Sequence, residues 1–300
     1  MSLDTAPAPQ PTLVGRSGRD RWRSLRLLAR NPQGIIGLVL VVLVVITAVG
    51  APYFGLPSPT KQSLLETFMP PMWAEGGSDA HVLGTDHLGR DVLSRIVYGT
   101  RISVMVALGA AIAAAIFGVI MGVMAGYYGG RVDTFIMRVV DVQLAFPLLL
   151  LSLAVIAVLG PSITNLIIVM AITSWVTYAR LVRGLSLSLR QREFVQASIA
   201  LGATDWRTIF RHMLPNVYPT IVAIFTFEVA RNLLIEAALS FLGLGVQPPT
   251  PTWGRMLADG RNYMMIAQWV ITYPGMAIML SVLGINMLGD AIRDIVDVKL

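Results

Sequence analysis

The sequence predicts an all-α, polytopic membrane protein with six transmembrane helices. Three observations lead there. Apolar residues make up 55% of the chain and charged residues only 13%, against about 25% charged in an average soluble protein. Mean hydropathy is +0.69, more apolar surface than a soluble fold of 300 residues could hide, so lipid must be part of the solvent. Basic residues, finally, fall mostly on one side of the long charge-free stretches. With no cysteine, a disulfide framework, a thiolate zinc site and a thiol nucleophile are all excluded. The formal charge of +6 and a pI near 10 do not indicate a nucleic-acid partner, because the basic residues are not gathered in a soluble module.

The elements follow in order. Residues 1–30 form a basic tail whose first part, up to Thr12, is Pro/Ala-rich and expected to be disordered. From Asn31 the run IIGLVLVVLVVITAVGAPYF is long enough to cross a core of about 30 Å at about 1.5 Å per residue. The first transmembrane helix is placed at 31–54. This run is too long for the apolar region of a signal peptide and ends in no good A-x-A site, so it reads as an uncleaved anchor. Residues 55–101 form an extracytoplasmic loop. A second span lies within Ile102 to Gly130. Val142 to Ala179 carries no charge over a length that suits two helices, with Gly160-Pro161-Ser162 as the break. Val217 to about Leu242 is a fifth span despite internal charges, and Gln268 to about Gly289 is the sixth. The five later helices form a core over 102–290, and 291–300 is a short tail.

Orientation follows from lysine and arginine. Six arginines lie between Arg16 and Arg30. Placing them in the cytoplasm puts sixteen basic residues inside and six outside, with Arg231 left within a span. Both termini are therefore expected in the cytoplasm.

Two spans carry unusual residues. In the second, Gly118, Gly122 and Gly126 lie four apart and follow an alanine-rich stretch. Small residues at this spacing give a flat helix face that another backbone can approach closely, either within this chain's own bundle or on a second subunit. In the fifth, Glu228, Arg231, Asn232 and Glu236 fall within an arc of about 140° at 100° per residue. A charge at a helix centre costs about 2.5–3.5 kcal/mol, so that face looks into a bundle or a wet path. Glu228 and Arg231 are spaced to pair at i, i+3. A buried ion pair and a solute pathway both remain open.

The longest cytoplasmic loop, about 190–216, reads as a short helix, a break at Gly202, and a second short helix ending before Pro215. Glycine supplies the left-handed conformation such a turn needs. Val195, Ile199, Trp206 and Ile209 give the two helices an apolar face, which a mere connector would not require.

Within that loop, Gln196-Ala197-Ser198, then Gly202, then Leu214-Pro215 resembles the EAA loop of ABC importer permeases, the segment that docks on an ATPase subunit. Gln196 and Ser198 stand where that family prefers Glu and Ala. The stretch from Leu83 to Arg95, containing Gly84, Thr85, Asp86, Gly89, Arg90 and Asp91, is similar to the dipeptide/oligopeptide/nickel permease group. So are Ser240 to Gly245, Gln247-Pro248-Pro249 with Pro251 and Trp253-Gly254, and the terminal Gly289-Asp290 with Arg293-Asp294 and Lys299-Leu300. Their order along the chain resembles the second ("C") subunit of a dipeptide-type importer.

The resemblance implies the type I ABC importer permease fold and a place in a bacterial inner membrane. It also implies a second homologous permease subunit, one or two P-loop ATPase subunits carrying ATP and Mg, and an extracytoplasmic peptide-binding protein. Gln196, Ala197, Ser198, Gly202, Ala203, Asp205, Trp206 and Pro215 would then couple to the ATPase. Glu228, Arg231, Asn232 and Glu236 would line or brace the pathway. The chain is expected to bind no cofactor or metal itself and to be no enzyme. Its two lysines, Lys61 and Lys299, follow no phosphate-cradling loop, no Ser/His/Asp arrangement or H-E-x-x-H is identifiable, and an Asp–Arg-paired loop explains His81 and His87 without a metal. Two rivals stay open: a secondary transporter or channel working without an ATPase, and the same importer class carrying glutathione, a nickel chelate or haem. A membrane scaffold that moves nothing is a third class.

Overall fold

Long apolar runs satisfy their own backbone hydrogen bonds, and every element longer than a few residues is helical. The computed structural model describes residues 31–297, so the tail 1–30 and Lys299-Leu300 lie outside the described residues. Helix α1 spans Pro32–Gly50. Asn31 caps it, its side chain accepting from the amides of Gln33 at 3.0 Å and Gly34 at 3.4 Å, and Pro32 at the first position has no amide to leave unpaired. A loop carrying two short 3₁₀ turns, Ala51–Tyr53 and Leu64–Glu66, leads to α2, Val92–Tyr128. Helices α3 (Gly130–Leu144) and α4 (Leu148–Leu159) meet at a 90° bend, and α5 covers Ile163–Arg190. The short α6 (Glu193–Ala200) and α7 (Asp205–Thr208) lead through a π-helical turn, Ile209–Met213, into α8, Leu214–Phe241. Helix α9 (Trp253–Gly260) precedes the last, α10, Trp269–Asp297. Among the described residues the only β-pairing is an isolated bridge between Thr85 and Asp91.

Several boundaries differ from the sequence reading, each for a physical reason. The loop expected over 55–101 ends at Asp91, and α2 begins ten residues before Ile102. Arg95 and Arg101 hid this start in a hydropathy reading; Arg95 is buried and neutralised by two aspartates. The third span is not a straight helix within Val142 to Ala179. It starts at Gly130 and breaks before Pro147, whose ring disfavours a helical residue ahead of it. The break at Gly160 stands as read, with Ser162 capping α5 and the Asn165 amide nitrogen donating to the carbonyls of Leu159 at 2.9 Å and Gly160 at 3.0 Å.

The second short loop helix, α7, ends before Pro215 as read, but no break separates it from the next span. Instead the backbone widens into the π turn and enters α8 with Pro215 in its first turn, where a missing amide is tolerated. Four helices among the described residues are long and apolar enough to cross a membrane, and the bent pair α3–α4 makes up to five. At 28 residues, α8 is long enough as well, but it is not among those spans. The count of six therefore turns on α8.

The core is built around α2 and α5. A Cβ on Gly118 would lie 2.6 Å from the Cβ of Tyr178, one on Gly122 2.7 Å from the Ala179 carbonyl, and one on Gly126 2.8 Å from the Arg183 carbonyl. The three glycines are thus the seam between two helices of one chain. Helix α8 packs on α2, α5 and α10, and α1 rests mainly on α10. At that contact a Cβ on Gly37 would meet the Leu288 amide nitrogen at 2.6 Å.

Candidate functional site

Three sets of polar or exposed residues stand out, placed at the two ends and the middle of the bundle by α2 and α8. The first lies in the loop before α2. Asp86 accepts from the amides of Leu88 at 2.9 Å and Arg90 at 3.1 Å, from Arg90 Nε at 2.7 Å, and from Arg95 Nη1. Asp259 on α9 receives the same two arginines, Arg90 at 3.3 Å and Arg95 at 3.1 Å, and also pairs with Arg255 at 3.0 Å. Burial alone would push the Asp86 carboxyl up, but Arg95 and Arg90 beside it, with the two amides, hold it below the usual carboxylate range.

Asp91 caps α2 by accepting from the Ser94 amide at 2.7 Å, and its other oxygen lies 3.0 Å from His81 Nδ1. Thr85 is tied three ways: its hydroxyl donates to the Glu66 carbonyl and accepts from the Met69 amide at 2.8 Å, and its carbonyl accepts from Trp269 Nε1 at 3.0 Å. Gly89 sits at φ +68°, and the Ser63 carbonyl occupies the space a Cβ would need. Gly84 also has a positive φ, and a Cβ there would lie 2.9 Å from Trp269 Nε1. The motif from Gly84 to Asp91 is thus a folded knot that pins the loop to α2, α9 and α10. His81 is held by Asp91, and His87 stacks on Tyr263 at 5.3 Å between centroids.

The second set lies along α8. Glu228, Asn232 and Glu236 are buried, whereas the Arg231 side chain is 42% exposed. Arg231 Nη1 donates to Glu228 at 3.1 Å and to Thr177 Oγ1 at 3.5 Å. Asn232 accepts from Ser174 Oγ at 3.1 Å, and its own amide nitrogen reaches the Ala107 carbonyl at 3.5 Å. Glu236 accepts from Ser240 Oγ at 2.7 Å. The single face read from the sequence therefore divides: Asn232 ties α8 to α2 and α5, Glu228 and Glu236 are buried against partners on α8 itself, and Arg231 looks outward.

At the other end of α2, the 191–213 segment turns at Gly202, φ +82° with open space around it. The turn is closed by the Gly202 amide donating to the Ile199 carbonyl at 2.9 Å and the Ala203 amide to Ser198 at 3.1 Å. The apolar face expected from Val195, Ile199, Trp206 and Ile209 is split. Val195 and Ile209 are buried in the chain, while Trp206 is 70% exposed, Leu201 89%, and Ile199 and Phe210 are also open. The Trp206 and Phe210 rings touch, 4.0 Å between centroids and tilted at 38°. Asp205 is exposed but tied back to the bundle, accepting from Tyr127 Oη at the end of α2 at 2.8 Å. Gln196 turns back to donate to the Arg190 carbonyl at 2.8 Å; Ala197 and Pro215 are exposed and Ser198 partly so.

Sequence reasoning missed Asp259, Tyr127 and Leu201. Asp259 is 164 residues from Arg95, and no local pattern could join them. Leu201 had a signal, since it directly precedes the glycine of the turn.

Residues 118–300 match the family described as binding-protein-dependent transport system inner membrane components. A di/tripeptide transport system permease protein of Pseudomonas aeruginosa is 41% identical over 300 residues, covering 100% of this chain and 98% of the relative. A dipeptide transport system permease protein of Escherichia coli is 43% identical over 296 residues, 99% and 96% of the two chains. A glutathione transport system permease protein of Pectobacterium atrosepticum is 40% identical over 294 residues, 98% and 96%.

Proposed function

This chain belongs to the family of binding-protein-dependent transport system inner membrane components, and from that premise we propose that it forms half of an ATP-driven pathway for short peptides. It is a multi-pass permease subunit of a binding-protein-dependent importer. On this reading it works with a second homologous permease, one or two P-loop ATPase subunits that bind and hydrolyse ATP with Mg, and an extracytoplasmic binding protein that delivers cargo. Six spans and cytoplasmic termini in a bacterial inner membrane complete it. Di- or tripeptide cargo is favoured because full-length relatives at 41% and 43% identity carry those names; glutathione, itself a tripeptide, fits the same chemistry.

One observation carries the reading: the helix–Gly202–helix element offers Leu201 and Trp206 to solvent while Asp205 and the π turn fix it to the bundle. Apolar side chains left open beside water gain by burial against a partner, at about 25 cal/mol per Å². An ATPase that closed on ATP would move this element as a rigid body. Its ties to α2 through Tyr127 and to α8 through the continuous backbone would pass the movement to both helices. Hydrolysis and release would reset it.

The test is to tag the chain, extract the membranes gently, and compare wild type with Gly202→Trp. Wild type is expected to bring down a homologous permease and P-loop ATPases and to support ATP-dependent peptide uptake. Gly202→Trp, strained at positive φ, should keep the second permease and lose uptake. A chain that comes out alone under conditions preserving known complexes would favour a channel, and full uptake by the variant would remove the coupling role.

A further inference from the structure

Arg231 stands out once the buried groups have been assigned. It lies about 5 Å from the midpoint of α8 at 1.5 Å per residue, yet its side chain is 42% exposed. Lipid tails are a costly neighbour for a guanidinium. Glu228, only 5% exposed, holds one corner of it through Nη1 at 3.1 and 3.4 Å. Thr177 lies beside the same nitrogen. Among the described residues no group bonds Nε or Nη2, the edge that matches a carboxylate with two parallel hydrogen bonds. A polar strip continues along α5 from Thr177 to the exposed Arg180–Asp141 pair, 3.1 Å apart.

We infer that the free edge of Arg231 is a transient contact for the α-carboxylate of the transported peptide. This rests on the importer reading above and adds the chemical group recognised. Glu228 gives the arrangement its reversibility. It is a resident carboxylate on the same guanidinium, so an incoming one meets a cation already half satisfied. A conduit site has to bind well enough to accept cargo and weakly enough to release it.

The test uses the importer with its partner subunits in proteoliposomes, with ATP, the binding protein and radiolabelled alanyl-alanine. Wild type must take up the peptide; if it does not, the importer reading fails first. This chain contains no cysteine, so Arg231→Cys gives it a single addressable thiol. That variant should keep its partner subunits and lose about tenfold in uptake, as expected for a charged hydrogen bond. An ammonium-bearing methanethiosulfonate should restore uptake to within about threefold, as should Arg231→Lys, which keeps a point charge but no fork. A sulfonate-bearing reagent should not.

A second variant, Thr177→Cys with Arg231 intact, should be shielded from labelling by alanyl-alanine more than by alanyl-alaninamide, and Arg231→Gln should erase the difference. Undiminished uptake by Arg231→Cys, a thiol that neither reagent reaches, or equal shielding by acid and amide would overturn the inference. So would loss of the second permease from the Arg231→Cys complex, which would assign the guanidinium to a subunit contact.

Discussion

Asp86→Asn tests the knot ahead of α2 most severely. The carboxylate is the common acceptor for two backbone amides and two guanidiniums, and it is 1% exposed. Asparagine keeps the shape and one acceptor oxygen but removes the charge. Arg90 and Arg95 are then left to share Asp259, which already serves Arg255. Removing one partner of a buried ion pair costs about 3–5 kcal/mol. Taking about 3 kcal/mol for a site at the bundle's end, local opening should rise by roughly a hundredfold.

Hydrogen exchange read by mass spectrometry reports this directly, on a peptide spanning 82–95 in nanodiscs. Amides of Leu88 and Arg90 should exchange about two decades faster than in wild type, while peptides from α5 stay unchanged. Exchange within twofold of wild type would refute the reasoning, since the aspartate would then not be holding the loop.

Other perturbations probe separate links. The Asp86 carboxyl titrates below its unfolded value, so its contribution is complete above about pH 4 and lost as pH falls through the lower folded value; exchange of the 82–95 peptide should be flat from pH 7 to pH 5 after correction for intrinsic rates, and rise only in stronger acid. Gly122→Val should push α5 away from α2, costing about 1–3 kcal/mol, visible as a lower melting temperature in detergent. Tyr127→Phe removes the bond to Asp205 and should lower uptake severalfold without releasing the ATPases, whereas Trp206→Ala should weaken ATPase retention itself; pull-down yield set against uptake separates the two. Glu228→Ala leaves Arg231 without its carboxylate and should impair assembly or uptake more than any single polar change in the 55–91 loop.

Patterns with a local period could be read in the sequence. Glycines four apart announced a close helix face, and the structure supplies the partner, Tyr178 to Arg183 on α5. Glu228 and Arg231 pair because a helix puts i and i+3 together. Features resting on distant residues could not be read. Asp259 gives no hint of Arg90 and Arg95 until α9 is folded against the loop, so the true start of α2 stayed hidden behind a charge that looked exposed. Pro147 passed unread inside an apolar run, and Pro215 was legible only as an interruption. The backbone answered one with a 90° bend and the other with a wide turn that keeps the helix running. The same held for the apolar residues around Gly202, whose inward and outward members separate only in three dimensions.

The contact of α1 with α10 has a consequence for biosynthesis. Gly37 and Leu288 touch across nearly the whole chain, so at about 5–20 residues per second α1 waits roughly 12–50 s for the helix it rests on. During that interval it has to be stable in lipid alone. Its composition permits this, since no charged residue lies between Pro32 and Thr60. Helix α8 is the opposite case. Lipid would reject it on its own, but Ala107, Ser174 and Thr177, which receive Asn232 and Arg231, have all emerged from the ribosome earlier. Chain order thus lets the self-sufficient helix enter first and the dependent one only after its hosts on α2 and α5 are in place.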